Sequence, residues 1–188
     1  SMIGLLIIGS YWLKKDSADG RLLIWQCGLE MVKDAPWTGH GIGSFEAKYM
    51  DYQADYFKEY GSQSRYAMLA DNVKQPFNEY LGVLINFGIV GLALLLGIVG
   101  ALVYCYRQNP TQEKKIALYI LLSIGVFSFF SYPFTYPFTW MVTFLAVLML
   151  TVDYLKRIKI GTWGRNIIYS AALMGFFWGQ VRLGARTQ

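Results

Sequence analysis

The sequence predicts an all-α fold, a polytopic integral membrane protein with one large, mostly helical extracytoplasmic loop. Three observations carry this expectation. Of 188 residues, 55% are hydrophobic and only 15% charged, too apolar a balance for an ordinary soluble globule. Several apolar runs approach or exceed the roughly 20 residues a helix needs to cross the hydrocarbon of a bilayer. The charges are also segregated: residues 14–81 hold 8 Lys and Arg against 10 Asp and Glu, which leaves 9 of the 17 basic residues facing 2 of the 12 acids. The formal net charge of +5 thus divides into a near-balanced block and a strongly basic remainder.

Other classes are excluded by the same composition. Aromatic residues at 17%, scattered glycines and two cysteines rule out a disordered chain, a collagen-like fibre and a disulfide scaffold. The basic excess lies at the ends of apolar runs and forms no single stripe, which argues against nucleic-acid binding.

In chain order, residues 1–13 hold an apolar stretch (3–13) about half a span long. No basic leader or small-residue cleavage site accompanies it, so a segment of a longer protein is expected rather than a signal peptide. Residues 14–80 form the charged block. Residues 81–155 hold three expected spans, 81–106, 116–134 and 140–155. Residues 156–188 combine a basic loop with a weaker fourth candidate at 166–181, either tilted or interfacial.

Short basic loops fix the orientation. Arg107, Lys114 and Lys115 lie in one, and Lys156, Arg157, Lys159 and Arg165 in the other, and such loops stay cytoplasmic. The block 14–80 and the aromatic turn at 132–137 are then extracytoplasmic. Cys27 falls in the outer block and Cys105 near the cytoplasmic end of the long span, so they cannot pair and read as plain thiols. His40 is the single histidine and has no partners at a zinc spacing, so no metal site is expected.

Within the outer block, Asp16, Ser17 and Asp19 offer helix caps. Residues 21–33 then place Leu22, Trp25, Leu29 and Val32 on one stripe, as in an amphipathic helix at a membrane surface. Pro36 and the run Gly39-His40-Gly41-Ile42-Gly43 end it. Neither the Lys-Ser/Thr ending of a phosphate loop nor the strand of a dinucleotide fingerprint is present, so a tight interhelical turn is expected and no cofactor.

Ser44 is placed to cap a helix over 45–60, whose Tyr49, Tyr52, Tyr56, Phe57 and Tyr60 suit packing with phenols at the bilayer surface, or less often stacking on sugar rings. A polar loop, 61–71, carries Arg65. Lys74, Gln75, Asn78 and Glu79 then lead into the long span. Asn78 and Glu79 suit either a site at the membrane surface or the capping and dipole roles of a helix start. Asn86 is a polar group inside that span and needs a partner. Gly88 and Gly91 allow a neighbour to approach closely.

Read together, Gly20-Arg21-Leu22-Leu23-Ile24-Trp25, the stretch from Met31 to Phe45, Asn78-Glu79-Tyr80-Leu81 and Phe87-Gly88-Ile89-Val90-Gly91 resemble, in that order, the O-antigen ligase and O-antigen polymerase superfamily. The resemblance covers residues 17–155. It implies a fold of the glycosyltransferase C kind and a place in the bacterial inner membrane, with further spans upstream. It also implies metal-independent, inverting transfer of a glycan from a polyprenyl diphosphate carrier to a lipid, sugar or protein hydroxyl. Arg21 matches the family's arginine after the glycine and is expected to recognise the diphosphate, for which a guanidinium fork is suited. Arg65 and Lys74 can add positive charge, and Gln75 and His40 complete the expected substrate contacts.

One departure stands out. Family members commonly carry a histidine just before the Asn of the Asn-acidic-Tyr-Leu motif, where this chain has Gln75-Pro76-Phe77. The base is then expected to be Glu79, tuned by partial desolvation, beside Asn78. His40 from the glycine turn is the alternative, or the protein is catalytically different. Two other readings remain, a polysaccharide or lipid transporter component and a noncatalytic membrane subunit. A transporter calls for midspan charges or broken helices, of which the sequence offers little beyond Asn86.

Overall fold

The computed structural model describes residues 2–61 and 66–157, with side chains for 17–61 and 66–154. Five α-helices and two short 3-10 turns make up the described residues, with no strand among them. The helices are α1 (Met2–Asp34), α2 (Ser44–Tyr60), α3 (Glu79–Gln108), α4 (Gln112–Phe127) and α5 (Pro137–Arg157), and the 3-10 turns are Ala67–Leu69 and Pro133–Thr135. Two helices, Glu79–Gln108 and Pro137–Tyr154, are long and apolar enough to cross a membrane. Along α3 the side chains of Leu94, Leu96, Ile98 and Val99 are exposed. Such a surface is at home in lipid and unfavourable in water, consistent with a membrane protein.

Two compact units divide the chain, one running to Leu94 with Phe129–Tyr132, the other comprising Leu95–Ser128 and the residues from Pro133. In the first, the core joins Leu23, Ile24, Cys27 and Met31 of α1 to Phe45 and Tyr49 of α2 and to Leu81 and Ile85 of α3. These residues recur on α1 at helical spacing, and full burial of each such side chain stabilises by roughly 1.5–3 kcal/mol. Gly28 makes the contact close: a Cβ there would stand 3.0 Å from Leu81 Cδ2.

The buried stripe of α1 is not the expected one. Leu22 and Leu29 are exposed, and Trp25 and Val32 only partly buried, because the core face is rotated onto Leu23, Cys27 and Met31. Nor does a cap at residues 16–20 start a new helix. The α1 backbone runs through them unbroken, since Ser, Asp and Gly weaken a helix by about 1 kcal/mol or less each and none removes a ladder donor as proline does.

In the second unit, Ala117 of α4 packs on Ala146 and Leu150 of α5, flanked by Leu102 and Tyr106. Helix α4 spans residues 112–127, where the sequence suggested 116–134. Thr111 accepts from the Lys114 amide and starts it early, and the Ser128 amide and hydroxyl both return to the Ile124 carbonyl and close it. The basic loop between α3 and α4 is tied by Lys114, which is buried. Its ammonium lies 2.9 Å from Asp153 Oδ2 and donates to the Asn109 carbonyl at 3.1 Å, while Asn109 Nδ2 donates to the same carboxylate. Asp153 is therefore the partner of Lys114. The expected fourth span at 166–181 lies outside the described residues.

Candidate functional site

The candidate site forms where the segment before α3 crosses α1. Pro76 and Phe77 are held against α1 by two contacts. Trp25 Nε1 donates to the Pro76 carbonyl at 3.0 Å, and the Arg21 guanidinium carbon stands 5.5 Å from the centre of the Phe77 ring. Arg21 and Trp25 are one turn apart on one helix face, so α1 meets the segment twice. A guanidinium over an aromatic face is favoured by the ring quadrupole.

Phe77 has φ 53° and is the one non-glycine residue in the left-handed region among the described residues. That conformation costs roughly 1–2 kcal/mol in a side-chain-bearing residue and persists where the surroundings hold it. Here Arg21 lies on the ring and Tyr132 meets it edge-on at 5.0 Å. Its consequence is a sharp turn that aims Asn78 into α3. Asn78 Oδ1 accepts from the Leu81 amide at 3.0 Å, capping the helix, and Glu79 opens the first turn, half-buried. Nearby, Tyr80 packs on Phe129 at 4.4 Å.

Arg21 is thus brought onto Phe77, the residue that immediately precedes Asn78 and Glu79. The other expected residues go elsewhere. Lys74 pairs with Glu46 of α2 at 3.7 Å on the surface, Gln75 is exposed, and Arg65 lies outside the described residues. His40 belongs to a second cluster. Its Nε2–H donates to the Met31 carbonyl at 2.8 Å, which leaves Nδ1 to accept from Lys48 Nζ at 3.1 Å. Met31 is ten residues along α1 from Arg21, about 15 Å, so His40 serves the glycine turn rather than the Arg21 cluster. Beside it Tyr52 donates to Asp34, and its phenol is pushed up to about 12 by desolvation, with the Asp34 carboxylate adding to the rise.

The glycine turn closes the geometry. Gly88 breaks α3 with φ 63° and ψ −161°, freeing backbone groups on either side. The turn takes them up: the His40 and Gly41 amides donate to the Ile85 and Asn86 carbonyls at 2.8 and 3.0 Å, and the Ile89 and Val90 amides donate to the Pro36 and Trp37 carbonyls at 2.8 and 3.2 Å. The two backbones touch, since a Cβ on Gly39 would stand 2.5 Å from the Asn86 carbonyl carbon and one on Gly88 2.3 Å from the Trp37 oxygen. Asn86 finds its partner here too, accepting from the Ser44 hydroxyl at 3.2 Å. Ser44 is spent on that bond and does not cap α2, whose N-cap is Gly43 in the left-handed region.

The family model for O-antigen ligase matches residues 3–96, which contain the Arg21 cluster, the glycine turn and the broken start of α3. The chain belongs to the O-antigen ligase family. Neither a curated protein nor a solved structure matches it. In this member of the O-antigen ligase family, Phe77 occupies the place just before the motif's Asn. The sequence alone left Phe77, Trp25 and Tyr132 out of the site. The one signal for Phe77 was its place between a proline and a helix-capping Asn, where the chain must turn.

Proposed function

We propose that this protein transfers a glycan from a polyprenyl diphosphate carrier to a lipid, sugar or protein hydroxyl at the outer face of the bacterial inner membrane. The observation that carries the reading is Arg21 seated on Phe77 directly beside the Asn78-capped start of α3. A guanidinium at a helix mouth suits a diphosphate, because it binds phosphate oxygens in pairs.

Glu79 serves as the base. The acceptor oxygen forms a bond to the anomeric carbon while its proton passes to the Glu79 carboxylate, and the carbon–oxygen bond to the diphosphate breaks with its electron pair going to that leaving group. Arg21 offsets the charge that develops there. Inversion requires base and leaving group on opposite sides of the sugar ring, and no metal takes part in these steps. Asn78 orients Glu79 by capping the same helix turn.

In the intact protein, Arg21→Ala should abolish glycan transfer while the membrane level of the protein stays unchanged. Unchanged surface glycan would overturn the assignment. Glu79→Gln should be equally inactive, and normal turnover there would remove Glu79 from the role of base.

A further inference from the structure

We infer that the glycine turn, residues 36–43, is a membrane-inserted wedge, with Trp37 and Ile42 seated among lipid at the outer boundary of the bilayer hydrocarbon. This goes beyond glycan transfer and rests only on α3 being a membrane span. The position of the turn comes from the helix it joins. Gly88 divides α3, and the apolar residues 89–106 that follow rise about 27 Å, nearly the full hydrocarbon thickness by themselves. The outer membrane boundary then falls at the break, not at Leu81 where the polar-to-apolar transition in the sequence suggested it. The turn is hydrogen-bonded to residues 85, 86, 89 and 90, which straddle that boundary.

Its chemistry fits the place. No charged residue occurs from Ala35 to Phe45. Irregular backbone is tolerated next to hydrocarbon only where its polar groups have protein partners. Here the Gly39 amide donates to the Ala35 carbonyl, the Ser44 amide to the Gly41 carbonyl, and the Pro36, Trp37, His40 and Gly41 groups bond to α3. Both nitrogens of the one titratable ring, His40, are engaged within the protein. Against this polar closure, Trp37 is 69% and Ile42 75% exposed, and Phe87, Ile89 and Val90 are exposed beside them. A tryptophan and an aliphatic chain on a rigid, uncharged turn at the head of a span are what the bilayer interface takes up. The consequence is mechanical: the wedge sets the depth of the first unit and so the height of Arg21 above the lipid.

The test uses the intact chain in phosphatidylethanolamine and phosphatidylglycerol vesicles. A nitroxide on Ile42→Cys, in a Cys105→Ala background that retains the buried Cys27, should collide with dissolved oxygen several-fold more than with a nickel chelate. A label on Lys58→Cys, in the last turn of α2, should show the reverse. Equal nickel access at both positions, or no access of either reagent to residue 42 because protein covers it, would overturn the proposal. Independently of any label, the fluorescence lost in Trp37→Phe should be the fraction quenched by lipids brominated near the top of the acyl chain and spared by iodide. Quenching of that fraction by iodide would also overturn it. Glycan transfer is not read in either measurement, so failure here leaves the role of Arg21 untouched.

Discussion

The Pro36 carbonyl accepts a hydrogen bond from the Ile89 amide at 2.8 Å, taking the donor that Ile85 would receive in an unbroken helix. Ile85 in turn accepts from His40. The break in α3 therefore loses no backbone hydrogen bonding at these positions, and the glycine turn becomes part of the helix ladder. Buried amides and carbonyls left alone cost about 1–3 kcal/mol each, so the exchange is what makes the break stable.

Glycine substitutions should separate conformation from contact. Gly41 has φ 94° but open space around it, so Gly41→Ala should cost about 1–2 kcal/mol, the left-handed penalty alone. Gly39→Ala carries the same penalty and Gly88→Ala a larger one, because φ 63° with ψ −161° is open essentially to glycine alone, and both also drive a methyl into backbone atoms, at 2.5 and 2.3 Å. Both should lose clearly more stability than Gly41→Ala in thermal unfolding of the detergent-solubilised protein. Equal losses for all three would show that the backbone contact contributes nothing.

At the mouth of α3, the cap made by Asn78 and the base role proposed for Glu79 are separable. Asn78→Ala removes the acceptor for the Leu81 amide and should cost about 1 kcal/mol, whereas Asn78→Asp keeps an oxygen there and should lose little. Glu79→Gln keeps the helix start and should leave the unfolding midpoint near that of the parent while transfer is lost. A large drop in midpoint for Glu79→Gln would assign it to structure instead.

The Cys27 thiol should be inert. It lies in the core against α2 and α3, and burial pushes it up to about 11 from an ordinary value near 9. The raised value belongs to the folded state, so the neutral thiol's contribution to stability is present below about pH 9 and is lost as pH rises through about 11. In a Cys105→Ala protein at pH 8, a water-soluble disulfide reagent should release its chromophore only on denaturation. Rapid release from the folded protein would place Cys27 in an open environment.

How far the fold was legible depends on which force decided each element. The long apolar run of α3 and the arginine of α1 were readable, because composition and a local motif carry them. The registry of α1 was not. Leu22 and Leu23 differ by one position and both look apolar, and only the approach of Leu81 and Ile85 to Gly28 selects the buried one. The union of the glycine turn with Gly88 was half legible: both glycine sites were visible, but no pattern within either says that their backbones meet. For Phe77 the sequence marked a turn, between Pro76 and the helix-capping Asn78, but not the positive φ, which nothing in an aromatic residue announces.

In the second unit, Lys114 is buried against Asp153 and the Asn109 carbonyl. A buried ammonium is tolerated only with its partners in place, and removing one partner leaves an uncompensated charge. Asp153→Ala should therefore cost about 3 kcal/mol. The double variant Lys114→Met with Asp153→Leu should cost markedly less, because no charge is then left in the apolar contact. The ordering is read from unfolding midpoints of the two variants in the same detergent. If the double variant falls below Asp153→Ala, the ion pair itself, and not the avoidance of a lone buried charge, holds the ends of α4 and α5 together.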